Sequence, residues 1–268
     1  QERISKKNNM INKLKIFFVI LIFLFSSGLK ASEKKTPFID TNWNFKGIFG
    51  KFDRGELRRG YQVYSEVCSG CHSISQLSYR NLYEKGGPEF SIENVKQIAA
   101  SFDVLDGPNS DGEMFTRPGR LPDKFVDPYP NIESAIAANG GAYPPDMSVL
   151  AKARKDGPAY IYSLLQGYVE PPKGYELDED VYYNKYMDGN QIKMPNVLFD
   201  DLVEYEDGTK ATTEQMAKDV SNFLMWAAEP NLEERHKLGF RVILYLIILA
   251  LLVYFSMNRL WSRIESKK

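Results

Sequence analysis

The stretch "YSEVCSGCHSIS", residues 64–75, holds Cys68 and Cys71, the two cysteines of the chain, with His72, one of its two histidines, directly behind them. Several chemistries can use this spacing. A closed zinc site needs four Cys or His ligands. The chain has two of each, and its other histidine, His236, lies far away beside an apolar stretch. A thioredoxin-like Cys-x-x-Cys pair opens a helix after a strand, whereas the residues before Cys68 follow a helical pattern. Two packed thiols and a surface histidine form the plainest reading, because a free cysteine packs as a small hydrophobe. Covalent haem attachment uses all three residues, and Cys-x-x-Cys-His is its signature. Each thiol adds across a haem vinyl group to give a thioether, and the adjacent His is held under the iron as an axial ligand. One short turn must present all three groups, and this spacing provides it.

Such a motif is most specific in a chain that enters an oxidising compartment, and the two ends predict that this one does. After Met10, Lys13 and Lys15 precede the apolar run "IFFVILIFLF" (16–25), and Ala31 offers a small residue for cleavage. That is the pattern of a secretory signal, with residues 1–9 as upstream sequence. Near the other end, "FRVILYLIILALLVYFSM" (240–257) carries a single charge, Arg241. Its length corresponds to about 27 Å of helix, close to the thickness of a hydrocarbon core. Arg259, Arg263, Lys267 and Lys268 follow, which predicts a cytoplasmic tail. The expected organisation is a signal with upstream residues (1–31), a periplasmic domain (32–239), a transmembrane helix (240–257) and a cytoplasmic tail (258–268), placed in the cell inner membrane.

The whole-chain charge of −1 conceals an uneven distribution. Residues 32–239 hold 23 Lys and Arg against 33 Asp and Glu, a net charge of −10. Such a domain repels nucleic acid and anionic lipid, and it favours encounter with a basic protein. The cluster "ELDED" (176–180) and Asp200, Asp201, Glu204, Glu206 and Asp207 are candidates for that surface.

Two helices frame the domain. In "FDRGELRRGYQVYSEVCSGCHS", Asp53 and Glu56 form a capping-box pattern, and Leu57, Tyr61, Tyr64, Cys68 and Cys71 recur at helical spacing. In "TTEQMAKDVSNFLMWAAEP", Thr212 and Gln215 repeat the cap, Met216, Val220, Phe223, Leu224 and Ala227 make the apolar stripe, and Pro230 ends it. Gly60 costs about 1 kcal/mol against alanine inside a helix. That cost is sensible if the second helix must approach closely there. Between these helices the chain is rich in Pro and Gly, as in "DGPNSDGEMFTRPGRLPDKFVDPYPN" (106–131), with two short helical patterns in 134–172. A haem can serve as the core for such loops.

The iron's other axial side remains to be filled. His236 sits at the membrane edge. Met10 falls in the signal, Met257 in the apolar span, and Met216 and Met225 on the late helix, which leaves Met114, Met147, Met187 and Met194. Met194 is best placed, in an irregular stretch stiffened by Pro195, and Met147 is second. His/Met ligation raises the haem potential and leaves no open position for substrate. With no further histidine in the domain away from the membrane edge, a Ser/His/Asp arrangement is not expected either.

Taken together, "RRGYQVYSEVCSGCHS", "DGPNSDGEMFTRPGRLPDKF", "PYPNIESAIAANGGAYPPDMS", "YIYSLLQGYVEPP" and "EYEDGTKATTEQMAKDVSNFLMWAAEP" followed by a span resemble the cytochrome c1 family, in its alphaproteobacterial form. The resemblance runs from about Phe45 to the C-terminus. It implies a mainly α, class I cytochrome c-like domain with long loop insertions and one C-terminal transmembrane helix. It implies one covalently bound haem c, with Met194 as the axial ligand opposite His72. Asn139, Pro145, Arg154 and Tyr160 would line the haem. Arg154 would pair with a propionate, and a carbonyl at Pro144–Pro145 would orient His72 through Nδ1. The implied partners are cytochrome b, a Rieske iron–sulfur protein as electron donor and cytochrome c as acceptor, in a dimeric complex. Lys193, next to Met194, departs from the small apolar context of the family, and a cation there would raise the potential. Two other readings compete: a membrane-anchored c-type cytochrome subunit of another periplasmic dehydrogenase, and a haem sensor or peroxidase-like enzyme with an open sixth position.

Overall fold

Asp53 accepts the backbone N–H of Glu56 at 3.0 Å and starts helix α1, Arg54–Val63. The structure, a computed structural model, describes residues 36–265, so the signal read at 1–31 lies outside the described residues. The capping box is only half formed. The Glu56 carboxylate turns instead to Lys218, 2.8 Å away, because a charged partner on a neighbouring helix outweighs a solvated cap bond. α1 passes into a π turn, Tyr64–Cys68, closed by the Ser69 N–H to the Tyr64 carbonyl at 2.8 Å. A π turn adds a residue to the helical repeat and is frequent at functional sites. It takes Cys71 off the buried stripe on which periodicity had placed it: Cys68 is buried, and Cys71 is exposed in the turn that follows.

The chain then runs through a 3₁₀ turn (Tyr79–Leu82), α2 (Ile92–Ala100), an antiparallel ribbon of β1 (Asp103–Asp106) and β2 (Phe115–Pro118), and α3 (Ile132–Ala138). The short helices α4 (Leu150–Ala153) and α5 (Gly157–Leu165) follow, then a second ribbon, β3 (Tyr182–Tyr183) with β4 (Gln191–Ile192). Strands of two to four residues are too short to leave an alternating pattern. The fold is mainly α, as the resemblance implied, with these two ribbons in its long loops.

α6 (Thr213–Ala228) is the late helix, capped by Thr212, which accepts from the Gln215 N–H at 3.1 Å. It packs directly on α1, and Gly60 is the point of closest approach. A Cβ at Gly60 would lie 2.1 Å from the Asp219 carbonyl oxygen and 2.7 Å from the Phe223 Cβ. Asp219, fully buried on α6, is bonded by Arg59 of α1 at 2.9 and 3.2 Å, and Arg59 also reaches Asp207 at 2.6 Å. An aromatic core surrounds this crossing. Tyr64 stacks on Phe223 with ring centroids 5.7 Å apart, and Tyr79 stacks on Phe125 at 4.7 Å.

α7, Leu232–Glu265, is one unbroken helix of 34 residues. It begins inside the folded domain, where Leu232 and Glu233 are buried. The boundary read at 239/240 is therefore no break in structure. The Glu233 carboxylate accepts two bonds from Arg54 (2.7 and 3.0 Å) and one from the Phe52 N–H (3.1 Å). The most apolar 18-residue window of α7 has a mean hydropathy of 2.5 and is wholly exposed, as a single membrane anchor requires.

Candidate functional site

The π turn delivers the chain into a tight reversal. The N–H groups of Cys71 and His72 both donate to the Cys68 carbonyl, at 3.1 and 2.9 Å. This closes the turn and sets the two thiols and the imidazole on consecutive corners of it. Tyr64, from the helix above, donates its hydroxyl to the His72 carbonyl at 3.2 Å. Burial pushes the Cys68 thiol up to about 12, with Cys71 adding to the effect.

His72 is buried, and its Nδ1 lies 2.8 Å from the Pro145 carbonyl oxygen. A carbonyl can only accept, so Nδ1 carries the proton and Nε2 keeps its lone pair for a metal. Burial lowers the imidazole pKa, and the Pro145 bond opposes the change in part. The ring is neutral at neutral pH, the form that binds a metal.

The Pro145 carbonyl is held in turn by a residue that the sequence reading passed over. Asp146 accepts bonds from Ser73 Oγ (3.0 Å), Ser75 N–H (3.0 Å), Ser75 Oγ (2.6 Å) and Ser148 N–H (2.7 Å). Its pKa falls to about 2: burial raises it, and the bonds from Ser148 and Ser75 overcome that. The Met147 N–H donates to the Ser73 carbonyl at 2.8 Å. Residues 145–148 are thus stitched to residues 73–75 immediately behind His72. The Asp-x-Ser turn is a local signal for Asp146. Its bonds to Ser73 and Ser75 span more than 70 positions and leave none.

Of the other expected site residues, Asn139 joins this group. Its Nδ2 donates to Tyr129 Oη (3.1 Å) and to the Ala135 carbonyl (2.7 Å), and the Tyr129 hydroxyl faces Cys71 Sγ at 3.9 Å. Met194 is half-buried on the loop after β4. Its carbonyl accepts from the Tyr168 hydroxyl at 2.9 Å, and its neighbour Lys193 donates to the Gly140 carbonyl at 2.8 Å. A line of contacts therefore runs from the Met194 loop through Gly140, Asn139 and Tyr129 to Cys71. Tyr160 stands apart from that line, its hydroxyl on Met187 Sδ at 3.7 Å. Arg154 is exposed at the end of α4, reaches only the Ala153 carbonyl at 3.4 Å, and has no carboxylate partner among the described residues. Met114 projects from the first ribbon, 56 % exposed.

The donor set suits haem. It offers two free thiols on one turn and a neutral imidazole with Nδ1 engaged and Nε2 available. Among the described residues, no three His, Cys, Asp or Glu side chains converge as an alternative metal cluster.

Comparison with known proteins points the same way. Residues 43–264 match the cytochrome C1 family. Cytochrome c1 of Rhodospirillum rubrum is 43% identical over 261 residues, which covers 91% of this chain and 95% of that protein. A mitochondrial cytochrome c1 heme protein of Arabidopsis thaliana is 50% identical over 227 residues, 84% of this chain and 73% of that protein. The cytochrome b/c1 protein of Bradyrhizobium diazoefficiens is 46% identical over 252 residues, 87% of this chain; the matched part is 37% of that longer protein.

Proposed function

The chain belongs to the cytochrome c1 family, and we propose that it is the haem subunit of a quinol–cytochrome c oxidoreductase, taking single electrons from a Rieske iron–sulfur protein and passing them to cytochrome c. Bound haem c supplies a one-electron iron centre. The chain's own residues do the rest. Cys68 and Cys71 fix the group covalently. His72 presents Nε2 from one side, and Pro145 and Asp146 hold the imidazole in tautomer and angle. The single observation that carries the reading is the 2.8 Å contact from Nδ1 to the Pro145 carbonyl. It leaves the Nε2 lone pair available, which supports the ligand role proposed for His72.

Met194 is proposed as the opposite ligand. Met147 follows Pro145 in the segment packed behind His72, on the Nδ1 side. A second ligand would have to come from a different segment, one that can reach the Nε2 face of His72. The Lys193–Gly140 bond supports Met194, because it draws that loop toward the Asn139 and Cys71 side of the site. With His72 and Met194 both holding the group, the iron would keep no position for a substrate. The chain then acts as an electron carrier and catalyses nothing alone. Arg154, free of carboxylates, is the proposed partner of a propionate, and Tyr160 is proposed to line the haem edge.

Cytochrome b is the proposed membrane partner, in a dimeric complex. The folded domain is proposed to face the periplasm, with residues 258–268 in the cytoplasm. The acidic docking face narrows to Glu176, Asp178, Glu179, Asp180, Asp201, Glu204 and Glu206. Asp207 is engaged by Arg59, and Asp200 braces the N–H and hydroxyl of Thr213.

A reduced-minus-oxidised visible spectrum of the gently purified protein tests the assignment. Co-purified b-type haem, reducible by a quinol, is the expected result. A spectrum with c-type haem alone, under conditions that keep complexes intact, points instead to another dehydrogenase.

A further inference from the structure

A cavity of about 320 Å³ opens where α7 leaves the domain. One wall is a loop whose shape is fixed by its backbone. The Lys51 N–H closes on the Asn44 carbonyl at 3.0 Å, and a Cβ at Gly50 would lie 2.1 Å from the Phe45 carbonyl oxygen. His236 of α7 brings Nδ1 to 3.2 Å from the Gly50 carbonyl and docks the loop onto the helix. The opposite wall is α7 itself, with Lys237, Phe240 and Arg241.

The lining combines two properties. Lys51, Lys237 and Arg241 gather positive charge at the edge of a domain (32–239) whose net charge is −10. Lys51 and Arg241 have no ion-pair partner within 4.0 Å among the described residues; Glu234 takes Lys237 at 2.9 Å and also lies in the field of Arg241. The carboxylate of the cavity, Glu233, is occupied by Arg54 and the Phe52 N–H. Beside the cations stand large apolar groups facing solvent. Ile48 is 68 % exposed and Phe49 75 %, and the Phe49 ring lies 5.8 Å from that of Phe240. Phe240 is also the first residue of the apolar run. The cavity therefore sits at the level where water gives way to hydrocarbon, the level at which aromatic rings and cations meet lipid headgroups.

We propose that this cavity holds the headgroup of an anionic phospholipid from the leaflet on the side of the folded domain, its phosphate among Lys51, Lys237 and Arg241 and an acyl chain along Phe49 and Phe240. The proposal rests on α7 being a membrane span. A zwitterionic lipid fits less well, because its own ammonium group would meet three cations.

The test uses the full-length, haem-loaded protein, purified in its complex and reconstituted into nanodiscs of phosphatidylcholine with or without phosphatidylglycerol. Native mass spectrometry then counts retained lipids for the wild type, K51Q, R241Q and the double variant. The wild type should retain phosphatidylglycerol over phosphatidylcholine. Each single variant should lose about fivefold in retention, and the double variant about twenty-fivefold, with an unchanged haem spectrum. Equal retention by the double variant and the wild type overturns the proposal, as does equal retention of phosphatidylcholine. Displacement of the lipid by millimolar inorganic phosphate would mark a free-anion site and overturn it too. A photo-crosslink from position 51 to another polypeptide, with none to lipid, would show that a subunit covers the cavity. If the protein fails to enter nanodiscs at all, the membrane-span reading falls and takes the proposal with it.

Discussion

The two sides of the proposed iron site are built differently. On the His72 side, one buried ring is fixed by one carbonyl, and four bonds from three serines converge on the carboxylate next to that carbonyl. On the Met194 side, a half-buried loop is held by a tyrosine hydroxyl and by an exposed lysine reaching across to Gly140. Charge-assisted bonds to a partly desolvated carboxylate are stiff and cooperative. A lysine on a flexible stem is neither. The difference teaches where the proposed site would yield: if Met194 holds the iron, ligand exchange would fall on its side, while the His72 side would keep its geometry.

The sharpest way to break this comparison is Asp146→Ala. It leaves two backbone N–H groups and two hydroxyls without their acceptor. We expect a loss of about 3 kcal/mol in chemical denaturation. A cost no greater than that of removing Lys193 would show the two sides to be equally stiff.

Met194→Leu should keep the covalent haem, lower the midpoint potential by on the order of 100 mV and admit carbon monoxide to the reduced protein. Redox titration and the carbon monoxide difference spectrum read both effects. An unchanged potential moves the ligand elsewhere, with Met147→Leu as the next variant.

Acid sharpens the same contrast. The Asp146 pKa is depressed from 3.8 to about 2. Its contribution to stability is therefore fully present above about pH 4 and is lost as the pH falls through 2. In Asp146→Asn that part of the acid-unfolding profile should flatten, whereas Lys193→Gln should leave it in place. Lys193→Gln itself is expected to cost about 0.5 kcal/mol in unfolding, while carbon monoxide binds detectably faster than to the wild type. The smallest effect falls outside the site. Reduction of a basic cytochrome c should slow gradually as salt screens the acidic face, and a flat salt profile in stopped-flow measurements would remove that face from the mechanism.

What could be read from residues alone follows from how locally each feature is encoded. The turn at Cys68–His72, the cap positions of α1 and α6, the apolar run of α7 and the close approach at Gly60 each rest on a few neighbouring residues. Short-range pattern rules reach them. Asp146 was missed because its worth lies in Ser73 and Ser75, far away in the chain. Cys71 was misplaced because a π turn shifts the helical phase just before it. Glu56 and Gln215 were assigned to capping boxes, yet Glu56 pairs with Lys218, and Gln215 donates to both Asp219 oxygens at 3.0 Å. A tertiary partner decided both, and local sequence does not name it. The ligand set resisted for the same reason. Four methionines are candidates by composition, and the bonds around Pro145 and Gly140 that support the proposed choice of Met194 leave no local pattern.

The bond between Arg54 and Glu233 has a mechanical consequence. Arg54 opens the helix that ends at the attachment turn, and Glu233 opens the helix that reads as the membrane anchor. A two-pronged ion pair between them works as a welded joint where a lone connecting strand would be a hinge. About 20 Å of helix separates that joint from Cys68, which limits how far along the helix the electron-carrying centre can stand from it. Electron tunnelling fades steeply with distance, so the joint would give that centre a fixed altitude over the bilayer. Donor and acceptor proteins would then meet it like a landing stage at constant height.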